Sequence, residues 1–93
     1  MTSYTLNDID TALPDRPRQT QPLPGWFAKL MFMPHPPGRG IPESLWVKVV
    51  TAAGDAYTGL LSNHPGPSKG LPAFGDKVAF EDRHIITTAR PSG

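Results

Sequence analysis

The apolar residues of the chain fall into blocks separated by proline and glycine, and the blocks differ in period. In "SLWVKVV", residues 44–50, strict alternation places Leu45, Val47 and Val49 on one side and Trp46, Lys48 and Val50 on the other. β-Branched and aromatic residues dominate this block and its only charge falls at an alternate position, so it predicts a strand whose Leu45 side is core. "TAAGDAY" supplies a reversal, with Gly54-Asp55 as the turn signal, and "AYTGLLS" returns as the partner strand. Gly59 inside that return predicts a bulge, a sharp bend, or a side chain lying across bare backbone. Further on, "GDKVAFED" reads as a turn entering a strand with Val78 and Phe80 inward, and "HIITT" continues or bends from it.

Upstream, "WFAKLMFM" lies between Gly25 and Pro34, with Lys29 as its one polar residue. Its length between breakers favours a strand with little solvent-facing surface over a short buried helix. Nearer the N-terminus, Leu6, Ile9 and Leu13 recur at i, i+3 and i+7 behind Ser3, Thr5 or Asn7 as caps, which predicts a short amphipathic helix ended by Pro14 and Pro17. Residues 14–25, "PDRPRQTQPLPG", predict an extended, mobile linker. "PHPPGRGIPES" and "NHPGPSKGLPAFGD" are too rich in breakers for regular structure and predict long loops. The expectation is one domain over 1–93, with helix and linker in 1–25 and a β-rich core in 26–88. Its class is mainly β, formally α+β: a small antiparallel sheet or SH3-like open barrel with a short N-terminal helix.

Composition narrows this picture. Twelve prolines and nine glycines among 93 residues keep regular elements short. A chain of this size buries roughly 60–65% of its unfolded surface, so the core is small. With no cysteine, disulfides, thiolate chemistry and Cys-ligated zinc are excluded. Nine Lys/Arg against eight Asp/Glu give a net charge of +1. Nucleic-acid binders usually cluster their basic residues and have a pI above about 9, so protein partners or neutral ligands fit the charge better. No run of apolar residues reaches membrane-spanning length and the first residues lack a basic start, which predicts a cytoplasmic protein with no membrane partner.

Candidate chemistry is sparse. His35, His64 and His84 show neither HxH nor HExxH spacing, so no metal site is expected. "EDRH", residues 81–84, sets acids, a guanidinium and an imidazole in a row. On a strand, Glu81 and Arg83 share one face and Asp82 and His84 the other, but no Ser or Cys nucleophile adjoins them, and an ion pair or strand-end cap is the plainer reading. "PGPSKG" lacks the spacing of a phosphate loop. No catalytic residue and no cofactor are expected, and the chain reads as a non-enzyme. The binding candidates are Trp46, Lys48 and Tyr57 on the hairpin and Arg39, His64 and Lys69 on the loops. An exposed tryptophan marks a recognition patch, and aromatics beside lysines also stack bases of single strands. The plainer alternative buries Trp46 under the N-terminal helix or the "WFAKLMFM" strand, with Lys48 at the rim. The functional expectation is a non-catalytic binding protein that recognises another protein, with a nucleic-acid-binding β-barrel module as the alternative. An unpaired edge strand leaves monomer and homodimer both open.

Three blocks, "LWVKV", "YTGLLSNHP" and "FGDKVAFEDRHI", together resemble the YegJ-like family of small bacterial proteins over roughly residues 44–86. The "GPSKGLPA" stretch is richer in glycine and proline than that pattern, and "PDRPRQTQPLPG" has no counterpart in it. The resemblance implies a compact α+β or β-barrel domain and no established activity. Chains of this type often sit on mobile elements, so it also implies a phage- or plasmid-encoded inhibitor of a host or defence complex.

Overall fold

A computed structural model describes residues 4–8, 21–34, 42–63 and 71–91. Its strands are β1 (Tyr4–Leu6), β2 (Phe27–Pro34), β3 (Glu43–Ala53), β4 (Ala56–Leu61), β5 (Lys77–Glu81) and β6 (Ile85–Ala89), with a single 3-10 turn, Asp82–His84, joining the last two. Strands β2 to β5 form an antiparallel meander. The other edge of β2 is shared, its first half pairing with β6 and its second half with β1, both antiparallel. Because β6 follows β5 through the 3-10 turn and pairs with β2, at the other side of the meander, the six-stranded sheet is nearly closed into a barrel.

Alternation decides what goes inside. Ala28, Leu30 and Phe32 of β2, Leu45, Val47 and Val49 of β3, Tyr57 and Leu61 of β4, Val78 and Phe80 of β5, and Ile85 of β6 make the buried cluster. Apart from Tyr57, whose hydroxyl is hydrogen-bonded to Asp82, no residue with a polar or charged side chain is buried among the described residues. Each large side chain there contributes about 1.5–3 kcal/mol on burial. Along β2, buried and half-buried positions alternate and none is fully exposed, as the apolar run predicts.

The hairpin reverses through Gly54-Asp55, as its turn signal predicts. Strand β3 then carries a bulge: Val49 pairs with Gly59 and Thr51 with Thr58, leaving Val50 as an extra residue. The bulge sets the phase of β4. Continued unbroken from Ala53↔Ala56, the pairing would place Leu60 opposite Val49 and turn Tyr57 and Leu61 outward. One extra residue inverts that and brings Tyr57 and Leu61 into the core. Gly59 accommodates the shift, because a Cβ there would collide with the Lys48 carbonyl and lie 2.5 Å from Val47 Cγ1. The bulge and the side chain across bare backbone expected at Gly59 are both present.

Two turns of one design lead into β2 and β5. Trp26 N–H donates to Leu23 O and Asp76 N–H to Ala73 O, both at 2.9 Å. The third residue of each turn is a glycine with positive φ, Gly25 at 94° and Gly75 at 87°, the requirement of a type II turn. Each glycine N–H then donates to the neighbouring strand, Gly25 to Val49 O and Gly75 to Leu61 O, both at 2.8 Å.

The N-terminal segment departs from expectation. Tyr4–Leu6 is a strand, registered Tyr4↔Pro34 to Leu6↔Phe32, and not the start of a helix. Tyr4 and Leu6 also alternate, and the free edge of β2 satisfies their backbone while the Tyr4 ring meets Phe32 edge-on at 5.1 Å. That tertiary contact outweighs the local helical spacing. Ile9 and Leu13 lie outside the described residues, among which there is no α-helix. The described end of the linker is held in place: Pro22 is buried and Gln21 Nε2 donates to Asp82 Oδ2 at 2.9 Å and to Gly54 O at 3.2 Å. Among the described residues no helix is long and apolar enough to cross a membrane.

Candidate functional site

The positions between the core residues point away from the barrel interior. Register sets Lys29 opposite Trp46, Phe27 opposite Lys48, Lys48 opposite Leu60, and Leu60 opposite Lys77. Apolar and cationic side chains therefore alternate across the four strands in the row Phe27, Lys48, Leu60 and Lys77, and along β2 and β3. Lys29 Nζ stands 5.7 Å from the centre of the Trp46 ring. At the rim where β2 begins, the Arg90 guanidinium lies 5.1 Å from the Trp26 ring. Cation–π contacts at exposed sites are worth about 0.5–1 kcal/mol each.

Trp46 is half-buried on this outer face. Strand β2 lies beside it in the sheet, and the segment expected to cover it as a helix begins as β1 on the far edge of β2. The backbone of Trp46 is fixed, its N–H donating to Asn63 Oδ1 at 2.6 Å and its carbonyl accepting from Ser62 N–H at 2.8 Å. Val50, 49% exposed at the bulge, and Leu60, 43% exposed, extend the apolar part of the face. Lys48 and Lys77 are exposed and have no acidic partner among the described residues.

Tyr57 is a correction. Only 3% exposed, it belongs to the core and stacks on Phe80 at 5.2 Å, because the Val50 bulge turns it inward. Its hydroxyl donates to Asp82 Oδ1 at 2.5 Å. Burial first, and then the hydrogen bond to Asp82, push its pKa well above the ordinary tyrosine value. Arg39, His64 and Lys69 lie outside the described residues, as does His35. Lys29 and Leu60 join the face without having been marked by the sequence, since their neighbours follow from strand register and not from local composition.

The "EDRH" stretch is structural. Asp82 opens the 3-10 turn and accepts from Tyr57 and Gln21. Glu81 N–H donates to His84 Nδ1 at 3.0 Å, while the Glu81 side chain accepts the His84 backbone N–H in return. Because Nδ1 accepts, His84 is neutral and carries its proton on Nε2. Burial and then the Arg83 charge hold its pKa below the usual histidine value, against weaker opposing pulls from Glu81 and Asp8. Arg83 bridges outward, Nε to Glu81 Oε1 at 3.1 Å and Nη1 to Asp8 Oδ2 at 3.2 Å. Asp82 and His84 thus serve separate partners and form no acid–base pair. No group of three metal-ligating side chains occurs among the described residues.

No protein-family model, curated protein or solved structure matches the chain.

Proposed function

We propose that this protein is a non-catalytic binding module that recognises another protein through the outer face of β2, β3 and β4. The observation that carries this reading is Trp46, held half-exposed by fixed backbone bonds beside exposed Leu60 and Val50, while Tyr57, Phe32 and Phe80 are committed to the core. A tryptophan kept at a surface that the fold could have covered matches the anchors of protein interfaces. The meander closed by a 3-10 turn, with its last strand returning to β2, supports the SH3-like reading of the barrel. A host or defence complex as partner, and a cytoplasmic setting, accompany this proposal on the strength of the sequence reading.

A nucleic-acid reading draws on one observation, the pairing of Lys29 with Trp46 and of Arg90 with Trp26. The test is an affinity capture from nuclease-treated lysate at low and physiological salt, comparing the wild type with Trp46→Ala. A stoichiometric protein retained by the wild type and lost by the variant is the expected result. Capture that Trp46→Ala does not weaken refutes the use of this face. Material that vanishes with nuclease or with salt promotes the nucleic-acid reading.

A further inference from the structure

Charge is distributed unevenly over the barrel. The outer face carries Lys29, Lys48 and Lys77, and the described carboxylates are placed or engaged elsewhere. Asp82 is taken up by Tyr57 and Gln21, and Glu81 and Asp8 are bridged by Arg83. Asp55 sits in the hairpin turn, the Asp76 carboxylate accepts Ala73 N–H in the turn before β5, and Glu43, half-buried at the start of β3, shares the inward phase of Leu45 and Val47. The one acid that shares the outward phase of β5 is Glu81, at the strand's far end and already paired.

We propose that this face takes an acidic protein segment in which carboxylates are interspersed with apolar side chains, Lys48 and Lys77 meeting the carboxylates and Leu60 packing between them. The inference rests on the protein-binding reading above and names the chemistry of the partner. Geometry supplies the spacing. Lys48, Leu60 and Lys77 stand directly opposite one another on three adjacent strands, and strands lie about 4.8 Å apart, so the two lysine backbones are about 10 Å apart with Leu60 midway. A purely ionic ligand would leave Leu60 and Val50 uncovered, and a purely apolar one would desolvate two unpaired ammonium groups. An acidic and apolar segment satisfies both.

Two other occupants fit less well. Single-stranded nucleic acid stacks on open rings, and Leu60 and Val50, which lie between and beside Lys48 and Lys77, offer it no π surface, while one face each of Trp46 and Trp26 is taken by Lys29 and Arg90. A second copy docked face to face would set lysines against lysines.

The experiment is an NMR titration of the full chain with three probes at physiological salt: a random copolymer of glutamate and tyrosine, polyglutamate, and a thymidine oligonucleotide. The copolymer is expected to shift the amides of β3, β4 and β5 and to bind at least tenfold more tightly than either other probe. The double variant Lys48→Glu/Lys77→Glu should lose tenfold or more of that binding with the amide pattern of the barrel preserved. Equal binding of polyglutamate, tighter binding of the oligonucleotide, or no response to the copolymer would each overturn the proposal. Lysate capture separates its failure from that of the broader reading: protein capture lost by Trp46→Ala but unchanged in the lysine double variant keeps protein recognition and discards the acidic partner.

Discussion

At the end of the barrel where the β3–β4 hairpin meets the 3-10 turn, polar side chains are consumed by the fold. Asp82 receives Tyr57 and Gln21, Arg83 spans Glu81 and Asp8, and His84 closes the turn on Glu81. On the outer face, Lys48 and Lys77 have no such partner among the described residues, and Leu60 and Val50 lie open between and beside them. Both regions grow from the same hairpin, one from its tip and the other from its side. Residues at the turn end are therefore expected to report on stability, and residues on the face on binding.

The sharpest way to break the comparison is to crowd the device that creates the face. Gly59→Ala would set a Cβ against the Lys48 carbonyl and the Val47 side chain, beside the bulge that fixes the phase of β4, so that the two strands must part or their register must shift. Overpacking of this kind costs about 3 kcal/mol, a large share of the stability of a small domain. Thermal denaturation is expected to show a melting temperature well below that of the wild type. A wild-type-like melting curve would mean that the close approach of β3 to Gly59 is not needed for the fold.

That same residue explains what could be read in advance. The β3 strand, its core side, the Gly54-Asp55 reversal and the inward Val78 and Phe80 were legible because alternation and turn chemistry are local properties. Gly59 announced an irregularity but not its consequence. Whether Tyr57 faces inward or outward depends on where the extra residue falls in the opposite strand, which no local pattern encodes, and so nothing in the sequence separates Tyr57 as a binding candidate from Tyr57 as a core residue. Strand β1 was missed for a related reason. Tyr4–Leu6 is too short to carry a period of its own, and only the free edge of β2 and the Phe32 ring make it a strand. On the face, Trp46 and Lys48 were legible from one strand alone, whereas Lys29, Leu60 and Lys77 became their neighbours only through register.

A smaller effect sharpens the contrast at the turn end. Tyr57→Phe keeps the ring stacked on Phe80 and removes only the hydroxyl that donates to Asp82. Hydrogen bonds to charged acceptors contribute about 1.5–3 kcal/mol, and the solvent contact left to Asp82 places the expected loss near the lower figure, about 1.5 kcal/mol. Urea denaturation should show a lower midpoint with an unchanged slope. An unchanged midpoint would detach Asp82 from the stability of the turn.

The pH dependence of the same end is weaker still. The folded state holds the pKa of His84 below the ordinary value of 6.5, so below that value the unfolded chain binds more protons than the folded one. Stability from this group is complete above about pH 6.5 and is lost as pH falls through the depressed folded value, because protonating Nδ1 removes the acceptor of Glu81 N–H. The ring's remaining solvent contact makes the effect modest. Melting temperatures measured from about pH 7.5 down to about pH 5, an interval that spans the ordinary histidine value, should fall more in the wild type than in His84→Gln, whose side-chain carbonyl accepts the same N–H without titrating. Parallel profiles would remove His84 from the linkage.

The smallest expected change in stability lies on the face, and it carries the most functional information. Lys48→Glu alters an exposed side chain that makes no ion pair among the described residues, so its effect on folding is expected within about 0.5 kcal/mol. The new carboxylate comes no closer than a neighbouring strand to Lys29 and Lys77, and any attraction between them is screened at physiological salt. Binding responds differently, because a reversed charge at the centre of an interface is felt by every carboxylate that approaches it. Equal melting temperatures together with a tenfold or greater loss of copolymer binding would establish that the fold leaves Lys48 unpaired for a partner. A melting temperature that falls as far as in Tyr57→Phe would place Lys48 among the structural charges and erase the distinction between the two regions.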